Sequence, residues 1–139
     1  MKLYKKLDNF HTSEHLVYHC CYHVIFCPKY RHGILINKVS DRLKQICSEI
    51  AKTHDFIIEE IETDKNHVHM IINCNPRYGI MKCIQLIKST TAIRLFDEFP
   101  YIKNKYLWGG KFWSRSSFVA TVGSISLEVV KKYIENQGK

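Results

Sequence analysis

Residues 55–74 read Asp-Phe-Ile-Ile-Glu-Glu-Ile-Glu-Thr-Asp-Lys-Asn-His-Val-His-Met-Ile-Ile-Asn-Cys, and this stretch decides the fold. Its two halves, 55–62 and 67–74, are rich in β-branched and apolar residues. Between them Thr63-Asp64-Lys65-Asn66 has the composition of a turn. The stretch therefore predicts two strands joined as a hairpin. Side chains alternate along a strand, so Val68, Met70 and Ile72 face a core while His67 and His69 project together from the opposite face.

Working outward, residues 16–27 also alternate. Leu16, Tyr18, Cys20, Tyr22, Val24 and Phe26 make an apolar face, with His19 and His23 on the other, which predicts one long strand. Pro28 to Gly33 breaks it. Val39, Leu43, Ile46, Cys47 and Ile50 recur at helical spacing to about Lys52, and Ile80, Cys83, Ile84, Ile87, Thr91 and Leu95 mark a second helix. Residues 97–112 are aromatic, basic and irregular. Trp113 to Val122 reads as a fourth strand, with Trp113 a core residue, and Ser124 or Ser126 can cap a last helix running to about Gln137.

The order β-α-β-β-α-β-α predicts an α+β protein of the split βαβ kind, ferredoxin-like or RRM-like. Four strands, or five, form an antiparallel sheet with helices on one face, plus a C-terminal helix carrying Tyr133. The other sheet face is left for function, as in RNA-recognition motifs.

Repeats and linkers are absent, so the 139 residues form one domain. Hydrophobic content of 45% with 24% charged residues excludes wholesale disorder. A surplus of 21 Lys+Arg over 13 Asp+Glu gives a net charge of +8, which favours a polyanionic partner, nucleic acid first. No apolar run reaches membrane-span length, and the lysines near Met1 precede no hydrophobic stretch, so neither a membrane anchor nor a signal peptide is expected. The six cysteines at 20, 21, 27, 47, 74 and 83 contain no CxxC pair. They read as reduced, mostly buried thiols of a cytoplasmic protein.

Three features carry chemistry. His67 and His69 can chelate one divalent ion, although exposed or hydrogen-bonded histidines would read the same. Tyr133 and Gln137 lie four residues apart, hence on one helical face, beside the stripe Leu127, Val130 and Ile134. A boundary tyrosine with its hydroxyl in water is the plain alternative. From Arg77 to Arg115, eight Lys/Arg (77, 82, 88, 94, 103, 105, 111, 115) face only Asp97 and Glu98, with Tyr101, Tyr106, Trp108, Phe112 and Trp113 interleaved. Unpaired bases stack on such rings while cations follow the phosphates.

Taken together, these segments resemble the small tyrosine transposases of the IS200/IS605 group, within the HUH (His-hydrophobe-His) nuclease superfamily. The resemblance runs through Lys29-Tyr30-Arg31, Asn66-His67-Val68-His69-Met70-Ile71-Ile72 and Lys88-Ser89-Thr90-Thr91-Ala92. It continues through Leu107-Trp108-Gly109-Gly110-Lys111-Phe112-Trp113-Ser114 and Phe118-Val119-Ala120-Thr121-Val122-Gly123, and ends in Lys132-Tyr133-Ile134-Glu135-Asn136-Gln137. Two positions depart from the family's habit. Asn66 stands where Asp is common, and Ser117 where an aromatic residue is common.

The resemblance implies a metal-dependent single-stranded DNA transposase that cleaves and rejoins DNA at hairpin-marked element ends. Tyr133 would be the nucleophile, leaving a 5′-phosphotyrosine link and a free 3′-hydroxyl. His67, His69 and the Gln137 side-chain oxygen would hold one divalent ion, Mg²⁺ or Mn²⁺. The two imidazoles favour tighter binding of Mn²⁺. The family works as a homodimer on single-stranded DNA hairpins, with no membrane and no small-molecule cofactor. Lys29, Tyr30, Arg31, Arg77, Lys82, Lys88, Arg94, Lys111 and Arg115 are the expected DNA contacts. His19 and His23, on the non-core face and within possible reach of the metal, are read as surface or DNA-contacting residues, since three ligands are already supplied. Two rival readings use the same residues: a non-catalytic single-strand binding module, and a domesticated relative that nicks hairpins.

Overall fold

The hairpin of residues 55–74 sits at one side of the sheet that organises the chain. A computed structural model describes residues 11–13, 16–106, 110–123, 132 and 134–136. Its elements in chain order are β1 (His11–Ser13), β2 (Leu16–Tyr18), β3 (Cys21–Phe26), α1 (Asn37–Thr53), β4 (Phe56–Asp64) and β5 (His67–Cys74). They continue with α2 (Ile80–Glu98), α3 (Pro100–Lys105) and β6 (Phe118–Thr121). The main sheet is antiparallel with order β4-β5-β3-β6, and β1 and β2 form a separate two-stranded hairpin. This is the split βαβ arrangement that the sequence predicts.

The helices α1 and α2 cover one face. Val39, Leu43, Ile46, Cys47 and Ile50 of α1 and Cys83, Ile84, Ile87 and Leu95 of α2 are buried with Val24, Phe26, Val68, Met70 and Ile72 of the sheet. Full burial of each large apolar side chain contributes roughly 1.5–3 kcal/mol, so this layer dominates stability.

The long first strand predicted over 16–27 is divided. Between β2 and β3, Cys20 N–H donates to Asn73 Oδ1 at 3.1 Å, and Cys20 O accepts from Cys74 N–H at 3.0 Å. A side chain thus replaces one ladder partner, and β2 turns away to pair with β1. The turn after β4 is tighter than predicted. Asp64 pairs with His67, so only Lys65 and Asn66 form the loop.

A bulge in β4 sets the face of its acidic residues. Ile58 pairs with Ile72, yet Glu60 pairs with Ile71, which leaves Glu59 as the extra residue. Strict alternation from Ile58 would send Glu60, Glu62 and Asp64 into the core. The bulge reverses the parity, so Ile61 packs on the core instead.

The fourth strand is shorter than predicted, Phe118–Thr121 only. Residues before it make one isolated bridge, Pro28 with Trp113. Their course is set by Trp113, 7% exposed, which meets the Phe26 ring edge-on at 4.7 Å and donates from Nε1 to Thr91 Oγ1 at 2.9 Å. The irregular stretch predicted at 97–112 contains α3, which begins on Pro100 at a first-turn position and buries Ile102. Of the cysteines, 27, 47, 74 and 83 are buried, 20 and 21 are half-buried, and all six are free thiols.

Lys132 and residues 134–136 are helical, and Asn136 Nδ2 donates to Lys132 O at 3.0 Å. Tyr133 and Gln137 lie outside the described residues.

Candidate catalytic face and nucleic-acid interface

The sheet face away from α1 and α2 carries the histidine pair. Cross-strand partners in an antiparallel ladder share a face, so the register fixes the neighbours. His67 lies opposite Asp64, His69 lies between Glu62 on β4 and Ile25 on β3, and Ile71 lies between Glu60 and His23. Beyond β3, Ala120 and Phe118 flank His23 and Ile25. This face is less open than the sequence suggests, because Ile25 on it is fully buried.

Each histidine of the pair engages a neighbour through one ring nitrogen. His67 Nδ1 is 3.1 Å from Asn66 Oδ1, an atom that can only accept. This bond places the Nδ1 proton on His67 and its ring lone pair on Nε2. His69 Nε2 is 3.0 Å from Nδ1 of His23. The ring centres are 5.2 Å apart with planes 15° from parallel. That separation is close to the nitrogen gap plus two ring radii, so the rings meet end to end in a hydrogen bond. Burial lowers the pKa of His69, and His23 beside it lowers it further, which favours the neutral, ligating form.

This donor set fits a divalent ion in part. Two half-buried imidazoles project from one strand face, and carboxylates stand directly opposite. Among the described residues, no three His, Cys, Asp or Glu side chains converge on one point. A further donor, such as the amide expected from Gln137, is needed to complete a site. His23 was expected on the non-core face, within possible reach of the metal, and was read as a surface or DNA-contacting residue. Its contact with His69 depends on diagonal neighbours across β3 and β5, which no local pattern displays. Glu60, Glu62 and Asp64 were missed because their facing depends on the bulge at Glu59. His19 is elsewhere, in the step before β3, with Nδ1 3.8 Å from Cys21 Sγ.

The expected DNA contacts separate into groups. Lys29 N–H donates to Phe112 O at 2.8 Å and Ser114 N–H to Cys27 O at 2.8 Å. This straps the segment bearing Lys111 and Arg115, both exposed, to the end of β3 that pairs with the His67 end of β5. Tyr30 stands beside them, 68% exposed and at φ 61°. Lys29 Nζ lies 5.3 Å from its ring centre, and a run of rings leads from Tyr30 to His32 at 6.1 Å and on to Tyr106 at 5.6 Å. Arg31 belongs to the same turn.

Arg77 and Lys82 lie at the opposite end of β5, beyond Cys74, with Lys82 Nζ 5.4 Å from the Tyr78 ring. Arg94 pairs with Glu49 at 3.0 Å on the helical side of the molecule. Lys88 points inward, with Nζ donating to Ser114 O at 3.0 Å and Ser116 O at 3.1 Å and lying 5.2 Å from the Phe26 ring. Among the described residues no helix is long and apolar enough to cross a membrane.

The chain is similar to known proteins along nearly its full length. Residues 16–137 match the family described as IS200-like transposases. The ISDra2 transposase TnpA of Deinococcus radiodurans is 36% identical over 87% of this chain and 86% of its own length. The transposase of insertion sequence IS200 from Salmonella typhimurium is 27% identical over 91% of this chain and 82% of its own. A crystal structure described as a transposase of Deinococcus radiodurans R1 superposes with a TM-score of 0.82 at 33% identity, covering 91% of this chain and 97% of that one. A REP-associated tyrosine transposase bound to a REP hairpin shares the fold, with a TM-score of 0.53 at 13% identity over 89% of this chain and 69% of that one. On the extent of these matches, this chain belongs to the family of IS200-like transposases.

Proposed function

We propose that this transposase acts on single-stranded DNA at hairpin-marked ends, using Tyr133 as nucleophile and one divalent ion, Mg²⁺ or Mn²⁺, held by His67, His69 and Gln137. The observation that carries the reading is the placement of His67 and His69 on one sheet face, each with one ring nitrogen engaged by a neighbour. Such anchoring is typical of imidazoles that ligate metals. An ion bound there would polarise the phosphate oxygens on which charge accumulates.

The rest falls to the chain. Tyr133 Oη attacks the phosphorus in line and loses its proton. The bond from phosphorus to the 3′-oxygen breaks, and that oxygen departs as a hydroxyl after taking up a proton. The tyrosyl ester left on the 5′ side keeps the bond's energy, so a 3′-hydroxyl can reverse the step and join new ends. A free phenol has a pKa of about 10, so Tyr133 depends on nearby positive charge to react as phenolate. The exposed cations and rings around Lys29, Tyr30, Lys111 and Arg115 support a bound single strand near the His67 end. A hairpin substrate is supported by the hairpin-bound relative of the same fold.

The test is a denaturing gel for a covalent protein–DNA adduct on labelled single strands flanking the gene, with Mg²⁺ or Mn²⁺. The adduct is expected with wild type and absent with Tyr133→Phe and with the His67→Ala/His69→Ala double variant. Strand binding without any adduct would instead support the non-catalytic binding module. We read the enzyme as a homodimer in which one subunit's Tyr133 can complete the other's metal site. Mixing the two inactive variants then restores the adduct only if assembly is in trans.

A further inference from the structure

The proposed metal pair leaves His23 without a role, yet this residue is in hydrogen-bond contact with His69. It lies on β3 opposite Ile71, one diagonal step from His69. Its Nδ1 stands 3.0 Å from His69 Nε2, with the two rings nearly coplanar. Ile25, the direct cross-strand neighbour of His69, is fully buried beside them. Water therefore has little access from that side to replace the bond.

A neutral imidazole has one N–H and one lone pair. When His69 donates Nε2–H to His23 Nδ1, the lone pair of His69 is confined to its Nδ1. In that direction the hydrogen bond selects one tautomer and one ring orientation. Asn66 does the same for His67 from the other side of the pair, with the opposite nitrogen. We infer that His23 is a positioning residue of the metal centre, fixing through its Nδ1 which nitrogen of His69 is offered to the ion. This rests on the metal reading given above. It reassigns His23 from the DNA-facing surface to the support of a ligand, where loss of the partner typically weakens metal binding about ten- to hundredfold.

The experiment measures Mn²⁺ affinity of the purified protein by the loss of the free-ion electron paramagnetic resonance signal, without DNA. Wild type is compared with His67→Ala, His23→Ala and His23→Asn, and circular dichroism checks that each is folded. Asn can place its side-chain oxygen near the position of the histidine Nδ1. The expected result is weaker binding by tenfold or more in His23→Ala, with much of it recovered in His23→Asn. The Co²⁺ absorption spectrum should shift in His23→Ala and return towards wild type in His23→Asn. If His67→Ala loses Mn²⁺ while His23→Ala binds like wild type or more tightly, His23 does not position the ligand and only this inference falls. If wild type and His67→Ala bind Mn²⁺ equally, the metal reading fails and this inference fails with it.

Discussion

Lys88 Nζ donates to Ser114 O across 3.0 Å, and a second bond to Ser116 O fixes the same segment. A lysine inside a basic stretch reads naturally as a phosphate contact, but this one holds a loop. It follows that Lys88→Met should leave the salt dependence of single-strand binding unchanged. Lys111→Ala should reduce the slope of log K against log salt by about 0.7. Titrations at several salt concentrations check both. A reduced slope in Lys88→Met would return this residue to the DNA surface.

The same lysine gives a pH dependence. Burial brings its pKa down from 10.5 to about 8. Between these values the unfolded chain binds more protons than the folded one, so Lys88 makes stability rise with pH across that window. Below about pH 8 both states are protonated, and the contribution no longer varies. Urea denaturation from pH 7.5 to 10.5 should therefore show an upward component in wild type that Lys88→Met lacks.

Trp113 Nε1 donates to Thr91 Oγ1 at 2.9 Å, and Thr91 Oγ1 in turn donates to Ile87 O at 2.6 Å. Thr91→Val keeps the volume but removes the acceptor, leaving a buried indole N–H unsatisfied at a cost of about 1–3 kcal/mol. Trp113→Ala removes the ring that packs on Phe26 and Phe112 and should cost about 3–5 kcal/mol. Denaturant midpoints check the order. Equal losses would show that the bond, not the packing of the ring, accounts for the whole effect.

Tyr30 combines a left-handed backbone with an exposed ring, and the two effects have opposite signs on substitution. A side chain at that φ costs roughly 1–2 kcal/mol, which glycine largely avoids. Tyr30→Gly should therefore stabilise the fold by about 1 kcal/mol while weakening single-strand binding by about 1–3 kcal/mol through the lost stacking surface. Tyr30→Phe should preserve both properties. Thermal melts and binding to a strand containing a fluorescent base separate them. A Tyr30→Gly protein that binds like wild type would remove the ring from the interface.

The parts of the fold that were legible are those written in local periodicity. The 3.6-residue spacing of Leu43, Ile46 and Ile50 marks α1, and alternation around Val68, Met70 and Ile72 sets the facing of His67 and His69. What was not legible depends on distant atoms. The extra residue at Glu59 has no glycine or proline to announce it, yet it alone turns Glu62 and Asp64 towards the histidines. Residues 113–117 were expected to open the fourth strand, but the Ser114 and Ser116 carbonyls accept from Lys88 of α2 instead. The division of the first strand rests on Asn73, 53 residues away from Cys20.

Asn66, which stands where the resemblance leads one to expect Asp, has its Oδ1 3.1 Å from His67 Nδ1. An amide oxygen is a weaker acceptor than a carboxylate, so it orients the ring without strongly increasing its basicity. Asn66→Asp should keep the orientation and add charge, tightening Mn²⁺ binding severalfold. Asn66→Leu removes the acceptor and should weaken Mn²⁺ about tenfold or more. Its position in the two-residue turn between β4 and β5 makes a fold check necessary, because Asn also suits tight turns. Asn66→Gly supplies that check, since it retains turn freedom but no acceptor. If Asn66→Gly binds Mn²⁺ as wild type does, Asn66 serves the turn alone. If it weakens binding as Asn66→Leu does, with an unchanged melting temperature, the side chain acts on His67.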